Sequence, residues 1–133
     1  MSYNITREYD RAFDDVVADV ETALSDEGFG VLCDVDVQAT LREKLGEEFR
    51  RYRILDACNP PLAHEALQEE LPLGVLLPCN VVVYETDDGT VGVSAVDPVV
   101  MLSIVGNPDL DPIAEEVRDR FERVLGAVAK AEA

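Results

Sequence analysis

The sequence predicts a single α+β domain, in which helices pack on a mixed or antiparallel sheet as one pair of layers. The chain has 133 residues and is 47% hydrophobic, which suffices for one core without disulfide bonds or metals. Strand-like and helix-like segments follow the order β-α-β-α-β-α-β-β-α-α. The two consecutive strands flank a tight turn at residues 87–89, and such a hairpin makes at least one strand pair antiparallel. No repeat or linker interrupts residues 1–133, which we therefore predict to form one domain.

In the first half of the chain, strands alternate with helices. Apolar residues recur at helical spacing after residue 10, and Gly28 is suited to end that helix because glycine tolerates a left-handed conformation. The pattern predicts strands over residues 3–9, 31–35 and 49–57, a helix from residue 10 to Gly28, and a helix over residues 37–45 that ends at Gly46.

In the second half, the helix starts share one pattern, a capping Asn or Asp followed by a proline suited to the first turn. The pattern occurs at Asn59-Pro60, Asp97-Pro98 and Asp111-Pro112. It predicts helices over residues 60–70, 98–104 and 111–130. Residues 75–86, interrupted by Pro78, form the strongest predicted strand, and residues 90–96 form its hairpin partner.

The charge balance is strongly acidic, since 28 Asp and Glu residues against 11 Lys and Arg give a formal net charge of -17. Binding of nucleic acid requires a basic surface, and an anionic membrane would repel this chain, so neither partner is predicted. Lysine is scarce and Trp is absent, a composition that resembles haloarchaeal proteins. We therefore predict a surface adapted to molar salt, which screens repulsion between carboxylates.

The chain shows neither a membrane-spanning run nor an export signal. No apolar run approaches the roughly 20 residues that span a bilayer, and residues 1–4 contain no basic region followed by an apolar stretch. We therefore expect a cytoplasmic protein. Its three cysteines are an odd number, which favours reduced thiols over a disulfide framework.

The three cysteines differ in their sequence context. Cys33 lies in the second strand with Val31 and Val35, and we expect all three on one buried apolar face. Cys58 directly precedes a capped helix, whose positive end favours a thiolate. Cys79 follows the proline in the strongest strand. Because Cys58 and Cys79 are each followed by an asparagine, one interpretation is that the two strand ends converge in a thiol pair. The other is that both cysteines are packing residues.

Other reactive side chains give weaker signals. His64 is the only histidine and falls at the margin of a helix face, so an exposed histidine is expected there rather than a ligand. A metal site formed by Cys58, His64 and Cys79 would lack the spacing of any strong zinc motif. Asp97 is expected to cap a helix, but it also lies at a strand end, where sites often occur.

Three segments and a closing motif resemble the domain of unknown function 302 family. They are residues 36–41, residues 52–60, residues 74–85, and Asp97-Pro98 with Met101. The resemblance covers nearly the whole chain. It implies a small α+β fold, a homodimer and no assigned activity. The family motifs fall here on Cys58, Asn59, Pro60, Leu62, Ala63, Pro78, Cys79, Asn80, Asp97 and Pro98.

Three hypotheses for function follow. The first is a homodimeric module that binds a small molecule or metal ion in a two-cysteine pocket. The second is a thiol redox enzyme with Cys58 as nucleophile and Cys79 as resolving thiol. The third is a structural or assembly domain without a ligand. No catalytic residue, cofactor or metal is specified by the sequence, and the candidate ligand-binding residues are Cys58, Asn59, Cys79, Asn80 and Asp97.

Overall fold

A computed structural model describes residues 2–131. A five-stranded sheet has the strand order β1-β5-β4-β3-β2, and every neighbouring pair is antiparallel. The α+β class and the order of elements predicted from the sequence are confirmed. The elements are β1 (Asn4–Tyr9), α1 (Phe13–Asp26), β2 (Gly30–Asp36), α2 (Val37–Leu45), β3 (Tyr52–Cys58), α3 (Pro60–Glu69), β4 (Cys79–Glu85), β5 (Val91–Val96), α4 (Pro98–Ser103) and α5 (Asp111–Ala131), with short 3-10 helices at Leu71–Val75 and Pro108–Leu110.

The main core lies between one face of the sheet and the helices α1 and α5. Side chains of a strand alternate between its two faces, so every second residue of β3, β4 and β5 points towards these helices. Buried residues of the three strands and two helices form one cluster. The largest fully buried members are Phe121, Leu24, Leu55 and Leu125. Phe121 also stacks on Phe29, with ring centroids 5.0 Å apart.

A second, smaller core lies beside the first. It contains Ala66 of α3, Leu73 of the first 3-10 helix, Leu102 of α4, Leu110 of the second 3-10 helix and Ile113 of α5. Leu62, Leu77 and Met101 are partly buried and pack against both clusters. The segments that follow β3 and β5 are therefore held to the rest of the domain through a second apolar cluster.

Two of the three predicted helix caps are present, those of Asn59 and Asp97, whereas Asp111 is itself the first residue of α5. The Asn59 side chain accepts a hydrogen bond from the Leu62 amide at 3.3 Å, and the Asp97 side chain accepts one from the Val99 amide at 3.0 Å. Gly28 follows the last residues of α1 with a φ of 86°, a conformation that glycine adopts without a steric penalty.

Several predicted boundaries are wrong, and the largest error concerns β4. This strand begins at Cys79 rather than at residue 75, because residues 71–75 form a 3-10 helix and Pro78 has no amide hydrogen for a sheet ladder. The strand β3 begins at Tyr52 rather than at residue 49, and α1 begins at Phe13 rather than at residue 10.

The prediction that Cys33 is buried is also wrong. A bulge between Val31 and Cys33 shifts the register, so that Val31 pairs with Ala57 but Cys33 pairs with Asp56. Since successive side chains alternate between faces, the bulge places Val31 and Cys33 on opposite faces of the sheet. Cys33 is exposed because it lies in the edge strand, on the face that α1 and α5 do not cover.

This second face, which we call the outer face, carries aromatic and polar contacts. Tyr52 and Tyr84 stack with ring centroids 5.6 Å apart. The Ser94 hydroxyl lies 3.1 Å from the Tyr84 hydroxyl and 2.7 Å from the Thr6 hydroxyl. A Cβ atom at Gly92 would lie 2.6 Å from the Tyr84 ring, so glycine is required for this ring position. No helix within residues 2–131 is long and apolar enough to cross a membrane.

Candidate functional site

A cavity of about 250 Å³ lies at the junction of the two cores. Its walls come from α3, the first 3-10 helix, the ends of β3 and β4, and the starts of α4 and α5. Nearly all lining side chains are apolar, among them Phe29, Leu62, Leu77, Leu102 and Val117. The more polar groups come from Cys58, Asn59 and Cys79.

Small residues create this space. Ala57, Ala63, Ala66 and Gly74 line the cavity from three different segments. Protein interiors are normally packed with few voids larger than a water molecule. Here four small residues surround one volume, and their side chains are too short to fill it. Gly74 has no other atom within 4 Å of where its Cβ would lie, which means that close packing does not require glycine at this wall.

Cys58 and Asn59 form the turn between β3 and α3. Asn59 is buried and accepts from Leu62 through its side chain, while the Ala63 amide donates to the Asn59 carbonyl at 2.8 Å. Pro60 and Pro61 have no amide hydrogen. The first turn of α3 therefore offers no free N–H donor to the Cys58 sulfur, although the sequence favoured a thiolate there.

Cys79 opens β4 and lies in the main core. Burial, and secondly the electrostatic effect of the neighbouring Cys58, raise the pKa of the Cys79 thiol to about 11. At neutral pH this side chain is therefore protonated and uncharged. The residue that pairs with Cys79 across the two strands is Ala57, so Cys58 is diagonal to Cys79 rather than directly opposite.

The structure brings three of the five candidate residues to the cavity and places two elsewhere. Asn80 pairs with Asp56 and is exposed beside Tyr52 and Tyr84 on the outer face. Asp97 is buried as the cap of α4, and its second carboxylate oxygen lies 3.6 Å from Arg118. Asp97 thus has a structural explanation in its cap and ion pair, as the sequence partly indicated.

The described residues contain no clear metal site. His64 is exposed on α3, as predicted. No group of three or more His, Cys, Asp or Glu side chains within residues 2–131 is arranged to hold a metal ion. A structural zinc site uses four such ligands, so the two cavity cysteines lack the further ligands that zinc needs.

Sequence reasoning missed the apolar lining. Leu77, Leu102, Ile113 and Val117 bound the cavity, but in the sequence they have the same apolar spacing as core residues. The helical spacing of Ile113 and Val117 in the sequence is that of core residues and carries no sign that a space remains beside them. The available signal for a cavity was the pair of alanines on α3, since Ala63 and Ala66 both fall on its inward side.

The comparisons with known proteins agree with the fold. The family described as Domain of unknown function DUF302 matches residues 5–128. The chain belongs to the DUF302 family. A crystal structure of an uncharacterized conserved DUF302 protein from Bacillus stearothermophilus is similar, with a TM-score of 0.90, 31% sequence identity, and coverage of 96% of this chain and 99% of that one. No functionally curated protein matches the sequence.

We predict that the stability of this DUF302 protein falls between about pH 9 and about pH 11 because of Cys79. An ordinary thiol loses its proton near pH 9.0, whereas the folded protein retains it up to about pH 11. The stabilisation from the protonated Cys79 thiol is fully present below pH 9.0. It is lost as the pH rises through the folded-state pKa of about 11, and the free energy of unfolding then falls by about 2–3 kcal/mol in total. Urea unfolding measured across this pH range tests it.

The matched control is Cys79→Ala, which removes the titrating thiol and keeps the tyrosines. Burial also raises the pKa of Tyr52, so both proteins lose some stability in alkali. The free energy of unfolding is expected to fall more steeply with pH in the wild type than in the Cys79→Ala variant. Equal slopes for the two proteins would show that Cys79 titrates normally.

Proposed function

We propose that this protein binds a small, uncharged and mainly apolar molecule in the cavity between α3 and the sheet. The observation that carries the proposal is the cavity itself, an apolar volume of about 250 Å³ with a few polar groups at one end. Small-molecule sites have this composition, in which apolar walls supply affinity and a few polar groups set orientation. Cys58, Asn59 and Cys79 are those groups here.

The volume limits the size of the ligand. An engineered protein cavity of about 150 Å³ binds benzene, so a volume of about 250 Å³ is suited to a molecule somewhat larger than one aromatic ring. A ligand of about 10 non-hydrogen atoms gains at most roughly 1.5 kcal/mol per atom and commonly much less. We therefore expect micromolar rather than picomolar affinity.

The charge of the lining supports an uncharged ligand. The cavity is lined by no Lys, Arg, Asp or Glu among the described residues, and a buried charge without a partner is strongly unfavourable. The raised pKa of Cys79 keeps that thiol neutral. The ligand that fits is therefore neutral, with one weak hydrogen-bonding group at the end near Asn59.

Neutral aromatic and branched aliphatic compounds should raise the thermal midpoint of the protein. A ligand that binds only the folded state stabilises it by RT ln(1 + L/Kd), where L is the free ligand concentration, so the stabilisation grows with the logarithm of that concentration. Ala66→Leu extends into the cavity and should abolish the effect, whereas Gln68→Leu, an exposed change on the same helix, should keep it. Differential scanning fluorimetry with a compound panel measures both.

Three outcomes are informative. If Ala66→Leu does not fold, Ala63→Leu fills the same cavity from a partly exposed position. Binding of copper or zinc that Cys58→Ser and Cys79→Ser abolish would support the metal-ion hypothesis instead. If no compound or metal binds, the proposal fails and the assembly hypothesis remains. The redox hypothesis would be supported instead if mild oxidation linked Cys58 to Cys79 and reduction reversed the link.

We also propose a homodimer that pairs the outer faces of two sheets. This face carries Val35, Ile54, Val82 and Val96 on adjacent strands, together with the stacked pair of Tyr52 and Tyr84. Its central row, from Thr6 through Ser94, Val82 and Ile54 to Val35, contains no charged side chain. Homodimer interfaces are more apolar than the rest of the surface and depleted in charge.

Val82→Asp should convert the dimer to a monomer, because it places a charge at the centre of the outer face. Light scattering after gel filtration should give twice 14.6 kDa for the wild type and the single mass for the variant. Ile104→Asp adds the same charge at an exposed apolar position elsewhere and should leave the dimer intact. A wild type that is monomeric at high protein concentration excludes the dimer.

We propose in addition that the acidic surface adapts a cytoplasmic protein to molar salt. The net charge of -17 repels itself, and at about 1 M salt the Debye length falls to roughly 3 Å. The thermal midpoint is therefore expected to fall when salt is diluted to the millimolar range. Sucrose is the control, since it favours the compact state without screening charge. A midpoint that sucrose restores as well as salt does would contradict the proposal.

A further inference from the structure

An exposed apolar patch lies on the outside of the second core. It consists of Leu71 and Val75 of the first 3-10 helix and Ile104 after α4, which are 82%, 87% and 75% exposed. Val75 and Ile104 line one surface depression of about 330 Å³, to which Pro72 and Val105 also contribute. Single exposed apolar residues are common, but Val75 and Ile104 share one depression, and adjoining exposed apolar residues mark an interaction site more often.

The patch is on a fixed surface. Leu73 and Leu102 lie in the same two segments and are almost fully buried, so the segments are anchored from below. Nothing in the fold requires Leu71, Val75 or Ile104 to be apolar, since none of them is in a core cluster. A polar residue at any of the three positions would avoid exposing apolar area to water.

The segments that form the patch and its rim are acidic. Residues 54–117 contain twelve Asp and Glu residues and neither Lys nor Arg. Asn107 holds the rim together, because its amide donates to the Glu69 carbonyl and to the Glu70 carboxylate, each at 3.2 Å, and its side-chain oxygen accepts from the Asp109 amide. Within residues 2–131, none of these three acidic side chains forms an ion pair.

We propose that this patch docks a basic amphipathic helix of another protein. The apolar side of such a helix would cover Leu71, Val75 and Ile104, and flanking Lys or Arg side chains would pair with Glu69, Glu70 and Asp109. Grooves that combine an apolar centre with complementary charge recognise helices in this way. A second copy of this chain is a poor occupant, because a two-fold contact would bring two acidic rims together.

High salt changes the relative contributions of apolar contacts and ion pairs to the affinity but not the choice of partner. At about 1 M salt, only charges in near contact interact, and Glu70 lines the depression itself. Apolar contacts then supply most of the affinity, and contact ion pairs select a basic helix over an acidic one. The patch and the ligand cavity have no lining residue in common, so the peptide test can succeed or fail whatever the ligand test shows.

The test is fluorescence anisotropy with three labelled peptides of about 18 residues, a length that forms a stable helix when docked. One carries a leucine face flanked by lysines. The second replaces lysine with glutamate, and the third scrambles the first so that charge is kept and the apolar face is lost. Only the first should bind, and Val75→Ser with Ile104→Ser should weaken it at least about tenfold.

Leu45→Ser is the matched control, since Leu45 is 67% exposed on α2 and should not affect binding. Glu69→Gln with Glu70→Gln should reduce the preference for the lysine peptide over the glutamate peptide. Equal binding of the scrambled peptide would mean attraction by net charge alone and would overturn the proposal. A variant with Val75→Ser and Ile104→Ser that binds the lysine peptide as the wild type does would also overturn the proposal. So would a dimeric mass in gel filtration that this variant loses, because the patch would then join two copies of this chain.

Discussion

The end of the pairing between β3 and β4 is the constraint on which the rest of the structure depends. The two strands are paired as far as Ala57 and Cys79. Beyond that point Pro78 cannot donate to a ladder, and on the other strand Asn59 caps a helix that starts with two prolines. The two strands therefore separate, and α3 with the first 3-10 helix must cross the gap between their ends. The second core, the cavity and the apolar patch all result from this crossing.

The sequence predicted the β3 side of this divergence, because that side depends on local chemistry, but its strand over residues 75–86 ran through Pro78 and so missed the β4 side. A proline without an amide hydrogen and an asparagine that caps a helix act within a few residues, and Asn59 and Pro60 do as expected. The cavity could not be predicted, since it depends on where Ala57, Ala66 and Gly74 lie relative to one another in three dimensions. The residues of one helix do not specify which side chains the opposing segments place against it to line the cavity.

The error at Cys33 has a similar origin. Alternation in the sequence places Val31, Cys33 and Val35 on one face only if the strand is regular, and one bulge reverses the face. The edge position of β2 then leaves Cys33 exposed, and strand order is a long-range property that alternation does not encode. Cys58 and Cys79 both flank the divergence point, and the sequence alone left open whether they form a thiol pair or are packing residues.

The cavity and the patch share a wall. Gly74 faces the cavity, while Leu71 and Val75 of the same 3-10 helix face solvent. Leu73, between them, fixes that helix to the second core. If a partner moved the helix despite this anchor, the volume of the cavity would change, and a ligand that filled the cavity would resist the movement. Coupling between two sites is reciprocal, so each occupant of this wall would alter the affinity of the other by the same factor.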